Sequence, residues 1–220
     1  MRLFDTLIGV LAPHSCLGCH RDGSLLCTVC RTLLVSPAQC CSLCKIAVSI
    51  GIICEYCIRN NGTFGVYAAV SYAGNGRQLV QALKFKRAKA AVDVIADIMT
   101  QRIPMTGFTL VPIPTATSRA RARGYDQACL IARCCAKNAH VPVVPLLARY
   151  GQQRQVGSNK EQRSQQLHDA FRVLPLKLGP DTPLLLIDDV FTTGATIGAA
   201  ASALRNAGYT NVQAAVFAVA

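Results

Sequence analysis

Two adjacent carboxylates, Asp188 and Asp189, close the apolar run Leu184–Ile187, and the turn Thr192-Thr193-Gly194-Ala195-Thr196 follows them. The apolar run reads as a buried strand and the residues after Thr196 as a helix. A helix N-terminus carries unpaired N–H groups and partial positive charge, so it binds phosphate. Gly194 lets a ligand approach the backbone, and the threonine hydroxyls add donors. Carboxylates beside a phosphate cradle make sense if they accept hydrogen bonds from sugar hydroxyls or meet a divalent cation. The chemistry suited to such a site is recognition of a ribose carrying a 5′-phosphate. The plain alternative is a strand-to-helix turn with a capping Thr or Asp.

The cysteines make a second constellation. Nine of the twelve lie between Cys16 and Cys57, and eight of these form four C-x-x-C pairs: Cys16/Cys19, Cys27/Cys30, Cys41/Cys44 and Cys54/Cys57. Two thiolates at this spacing chelate one tetrahedral ion, so the pattern favours two structural zinc ions over a disulfide framework. Sequential grouping, 16/19/27/30 and 41/44/54/57, is the default. The short gap between Cys19 and Cys27 leaves a crossed scheme open. Cys40, Cys129, Cys134 and Cys135 follow no pattern, and free thiols of this kind suit a reducing cytoplasm. His20 follows Cys19 directly, but eight cysteines already suffice for two ions.

A third feature is charge. The chain has a formal net charge of +12. Residues 1–63 hold five Lys/Arg and three Asp/Glu, whereas 64–220 hold eighteen and eight, a net +10. A polyanion partner is therefore expected mainly on the second part. Arg119, Arg121 and Arg123 crowd one turn, VPIPTATSRARARGYDQA (111–128), between a strand and a helix. Lys84 and Lys86 flank Phe85, which either stacks a base or enters the core at a solvated helix start. These cations are candidates for pyrophosphate or single-stranded DNA.

Several elements must position these groups. Residues 66–72, 109–113, 141–144, 184–188 and 212–220 read as strands, and 87–102, 125–137 and 196–207 as helices. Val92, Ile95, Met99 and Arg102 make one helical stripe; Ile197, Ala200, Ala201 and Leu204 make another. Strands alternating with helices give an α/β domain on a mainly parallel sheet, whose ligands bind at the C-terminal strand ends. The expected division is a Cys-rich module at 1–63, opened by a short docking helix, and the α/β domain at 64–220. Zinc would have to supply much of the small module's stability. No apolar run reaches the ~18 residues that a membrane span requires.

The DD-x-x-TTG-x-T order at 188–196 resembles the PRPP loop of type I phosphoribosyltransferases. The resemblance implies that Asp188 and Asp189 address ribose hydroxyls, that 192–196 wraps the 5′-phosphate, and that Mg²⁺ accompanies PRPP. With the cysteine pairs, VPIP at 111–114, the RGYDQ stretch within 120–127 and the Arg149–Phe171 stretch, nearly the whole chain resembles the ComF/GntX family. That family joins a double zinc ribbon to a phosphoribosyltransferase-like domain. The family pattern has Phe, Asn and Asn where this chain has Tyr125, Asp126 and Gln166. The resemblance implies handling of incoming single-stranded DNA in natural transformation, with DNA-uptake or recombination proteins as possible partners. Two other readings stay open: a working phosphoribosyltransferase of unknown acceptor, and a PRPP sensor without turnover. No segment after the last strand looks like a base-specific hood.

Overall fold

The computed structural model describes residues 14–60, 64–84, 88–115, 124–150, 170–175 and 178–220. The expected docking helix before His14 lies outside them.

The fold is mixed α/β. Four strands form a parallel sheet in the order β1 (Val66–Ser71), β6 (Val212–Val219), β5 (Leu184–Phe191), β2 (Thr109–Pro112). Side chains alternate across it, as the period of two requires. Leu185, Ile187, Ala215 and Phe217 face one hydrophobic cluster, and Leu184, Leu186, Ala214 and Val216 face the other. Both faces are covered, which is why Leu184–Ile187 is an unbroken apolar run.

Helices α3 (Gly74–Lys84), α4 (Ala88–Arg102) and α5 (Gln127–Ala139) contribute to the first cluster, and α6 (Ala195–Asn206) to the second. The expected stripes hold: Ala91, Val92, Ile95, Ile98 and Met99 are buried, as are Ile197, Ala200, Ala201 and Leu204. Arg102 departs from its stripe. It is exposed at the helix end and reaches the Ala69 carbonyl with its guanidinium.

Three expectations need correction. The strand at 184 does not stop at the aspartates but runs to Phe191, because β6 keeps pairing beside it (Asp188 opposite Val216, Phe191 opposite Val219). Residues 141–144 make only a single parallel bridge, Val143 to Leu110. Lys84 ends a helix rather than starting one. That helix opens with Gly74 and Gly76, which disguise it as a loop. A Cβ on Gly76 would lie 2.7 Å from the Ser71 carbonyl oxygen, so the close approach to β1 requires glycine.

The cysteine region joins both faces of the sheet. Cys16, Leu25, Leu26, Cys30 and Leu34 belong to the first cluster; Cys41, Ile52, Ile53 and Cys57 belong to the second. Backbone links run from Ser71 N to the Val35 carbonyl and from Ile52 N to the Val66 carbonyl, each 2.8 Å. Arg31 pairs with Asp97 of α4. Two short helices, α1 (Thr28–Thr32) and α2 (Glu55–Asn60), each carry the last cysteine of a group. A separate antiparallel pair, β3 (Leu147–Arg149) with β4 (Phe171–Val173), stands apart from the main sheet. Among the described residues, no helix is long and apolar enough to cross a membrane.

Candidate functional site

The C-terminal ends of the four parallel strands open onto one cavity of about 340 Å³. This lies within the range of small-ligand sites, about 300–1,000 Å³. Tyr72 follows β1, Ile113 to Thr115 follow β2, Asp188 to Val190 belong to β5, and Ala220 follows β6; all line it. Asp188, Asp189, Thr192, Thr196 and Lys84, all singled out from sequence, meet there. Thr193, Gly194 and Ala195 shape the turn without lining the cavity. Lys86, Arg119, Arg121 and Arg123 lie outside the described residues.

The turn is built as a phosphate cradle needs. Gly194 is the N-cap of α6 with φ +75° and, having no side chain, makes no capping hydrogen bond of its own. A Cβ at Gly194 would lie 2.9 Å from the Phe191 ring, so both backbone and space demand glycine. The Thr193 hydroxyl accepts from Ala195 N at 3.4 Å, which leaves Thr192 and Thr196 as the turn's hydroxyls on the cavity.

The two aspartates differ. Asp189 Oδ2 stands 3.4 Å from Lys84 Nζ. Asp188 Oδ1 accepts from the Asp189 backbone N–H at 2.8 Å. Burial, the charge of Asp189 and, more weakly, that of Asp126 push the Asp188 carboxyl up to about 8, despite that backbone bond. Near neutral pH the ligand-free Asp188 carboxyl is therefore largely neutral, so the cavity repels an incoming anion less than two charged carboxylates would.

Sequence reasoning about the sheet mouth did not place two further groups in it. Gln127, on the first turn of α5, is buried and lines the cavity. Arg149, brought in by β3, also lines it and stacks 5.2 Å over the Phe171 ring. Both lie in segments that the family resemblance had marked, but without the short antiparallel sheet nothing pointed Arg149 here. Asp126 does not line the cavity. Its carboxylate accepts from Thr115 N at 2.8 Å and from Cys129 N at 3.1 Å, capping α5 and tying down both ends of the arginine-bearing turn.

The eight paired cysteines form two groups, 16/19/27/30 and 41/44/54/57. This is the sequential scheme, and it excludes the crossed one. Within each group the sulfurs lie within 4.8 Å of one another. Cys19 and Cys27 are 3.7 Å apart, and Cys44 and Cys54 3.5 Å. A tetrahedral ion with bonds near 2.3 Å sets its sulfurs about 3.8 Å apart. The donor set therefore fits zinc, and the two groups could hold two ions. All twelve cysteines are free thiols. Backbone N–H groups of Cys27, Cys30 and Cys57 point at sulfur, each 3.4 Å away. Burial alone would raise the Cys16 and Cys41 thiols, but backbone donors outweigh it and bring each down to about 6. Burial and neighbouring thiols push Cys30 and Cys57 up to about 12. One thiol of each group thus ionises readily, while another buried thiol of the same group needs a cation to do so.

No family model matches the chain. It is 26% identical over 195 residues to the competence protein ComFC of Bacillus subtilis (strain 168), covering 83% of this chain and 79% of that protein. A solved structure of the allosteric regulatory enzyme of purine biosynthesis aligns with a TM-score of 0.41 and 16% identity over 58% of this chain. The chain spans only 25% of that protein. With two four-cysteine groups ahead of a parallel α/β sheet and similarity to ComFC along most of its length, the chain resembles the ComF/GntX family.

Proposed function

We propose that this relative of ComFC binds PRPP or a related ribose 5-phosphate at the sheet mouth and handles incoming single-stranded DNA in natural transformation. One observation carries the ligand reading. Adjacent carboxylates, a lysine and a glycine-capped helix N-terminus converge on a single cavity at the C-terminal sheet end. The 5′-phosphate would sit on the first turn of α6, with the Thr192 and Thr196 hydroxyls beside it. Asp188 and Asp189 would accept from the ribose hydroxyls, and Lys84 would pass from Asp189 to the pyrophosphate. Two adjacent carboxylates at the cavity also fit a Mg²⁺ carried in with PRPP. Replacing both aspartates by Ala should abolish PRPP binding in calorimetry while circular dichroism stays native. Unchanged affinity would refute the assignment.

Similarity to ComFC and the +10 of residues 64–220 support the DNA reading. Phosphate contacts supply most non-specific affinity for single strands. Zinc at both cysteine groups, in a reducing cytoplasm, completes the proposal.

One observation favours a transferase as the second reading: β3 delivers Arg149 to the cavity from outside the main sheet, where a second substrate could be covered. Pyrophosphate release from PRPP and Mg²⁺ with candidate acceptors would establish turnover.

A further inference from the structure

The last carbonyls of a helix lack intrahelical partners and must find others. At the end of α3, the Leu83 carbonyl finds two. Tyr125 Oη donates to it at 2.6 Å and Gln127 Nε2 at 3.3 Å. Both donors come from the start of α5, more than forty residues away in sequence. The next residue after Leu83 is Lys84, whose ammonium meets Asp189 in the cavity. Between the two donors, Asp126 holds Thr115 at the far end of the arginine-bearing turn. Tyr125, Asp126 and Gln127 thus fasten three pieces of the cavity rim to one another.

From this geometry we infer that Tyr125, assisted by Gln127, is a positioning residue that fixes the end of α3 and so holds the Lys84 ammonium over Asp189. The hydroxyl is the effective part. A Phe, the residue of the family pattern here, fills the same space but cannot donate to Leu83. A lysine has a long, flexible stem, and its ammonium is useful to a bound anion only if the backbone beneath it is held still. Tyr125 Oη itself reaches the helix end and not the cavity floor, so it acts through Lys84.

The inference rests on the ribose-phosphate reading for its purpose, but its geometry can be tested without a ligand. Pulse acetylation of the full-length, zinc-loaded protein, read by peptide mass spectrometry, reports how firmly Lys84 is held. Asp189→Asn, which removes the carboxylate partner, sets the rate of an untethered Lys84. Tyr125→Phe should raise Lys84 labelling several-fold toward that rate and leave Lys45 and Lys137 unchanged. A Lys84 rate equal to wild type overturns the inference. A rise at all three lysines also overturns it, because the hydroxyl would then serve general stability.

The second arm uses PRPP in calorimetry. Tyr125→Phe should weaken binding about threefold to tenfold, the worth of one hydrogen bond. In a Lys84→Met background the same change should cost nothing further. Equal losses in both backgrounds would show that Tyr125 does not act through Lys84. If the wild type binds no PRPP, the ribose-phosphate reading falls, and the labelling arm alone decides whether Tyr125 positions Lys84.

Discussion

Asp188 carries its proton far above the usual carboxylate range, and this has a sign. Its folded-state value of about 8 exceeds the unfolded value near 3.9. The folded protein therefore binds the proton more tightly than the unfolded chain. This group's contribution is fully present below about pH 4 and is lost as pH rises through about 8. Asp188→Asn keeps the neutral shape, so it should raise the melting temperature strongly at pH 8.5, less at pH 5, and not at all below about pH 4. A melting curve that ignores the substitution at pH 8.5 and at pH 5 would place the Asp188 carboxyl in water. Gly194 makes the opposite case. Gly194→Ala combines φ +75° with a contact at 2.9 Å from Phe191, so it should cost about 1–2 kcal/mol in denaturant unfolding and weaken PRPP. At this scale the sequence was informative wherever residue type dictates chemistry. Asp188, Asp189, Thr192 and Thr196 reach one cavity because a strand and a helix joined by a short turn leave them little choice. Arg149 and Gln127 arrive by tertiary routes that no local pattern encodes.

Among the elements, long periodic ones were legible and short ones were not. The stripe of α4 and the unbroken strand β5 follow from burial on one face and on two. The α3 helix escaped because its apolar Leu79, Val80 and Leu83 follow two glycines in its first turn. The three-residue strands β3 and β4 are too short for alternation to register and depend on each other for pairing. Asp126 shows how one residue can define an element boundary. It caps α5 through Cys129 N and holds Thr115 N, so Asp126→Ala should cost about 1–2 kcal/mol in thermal or denaturant unfolding. Asp126→Asn, which keeps an acceptor oxygen, should recover most of it. Equal losses in the two variants would mean that the charge matters and the cap does not.

For the whole molecule, the cysteine groups and the basic excess make separate predictions. Metal analysis of protein purified under reducing conditions should find two zinc ions per chain. One ion would assign half of the cysteines another job. Single-stranded DNA binding should weaken steeply with salt, with a slope of about −0.7 per phosphate neutralised. Replacing Arg119, Arg121 and Arg123 by Ala should make that slope shallower and lower affinity alike for all sequences. Lost PRPP affinity with unchanged DNA binding would instead assign these arginines to pyrophosphate. The division into a module at 1–63 and a domain at 64–220 was read from the break in composition. Composition carries no information about the packing of each cysteine group against a different face of the sheet, because that depends on where the chain goes after Cys30 and Cys57.

Helix α3 reaches from one constellation to the other. At its start, Asn75 Nδ2 donates to the carbonyl of Cys30 at 2.9 Å; at its end, Lys84 meets Asp189. Eleven residues at about 1.5 Å each make a rod of roughly 16 Å. A rod fastened at both ends transmits displacement, so the first cysteine group and the ribose-phosphate mouth should behave as one lever. Oxidation or chelation that draws Cys30 away would then be felt as a shift of the Lys84 ammonium, and PRPP affinity would report the thiol state of a group that never touches it. Asn75→Ala should disengage that lever, leaving metal content intact and making PRPP affinity, measured with Mg²⁺ in excess, less sensitive to zinc removal than in the wild type.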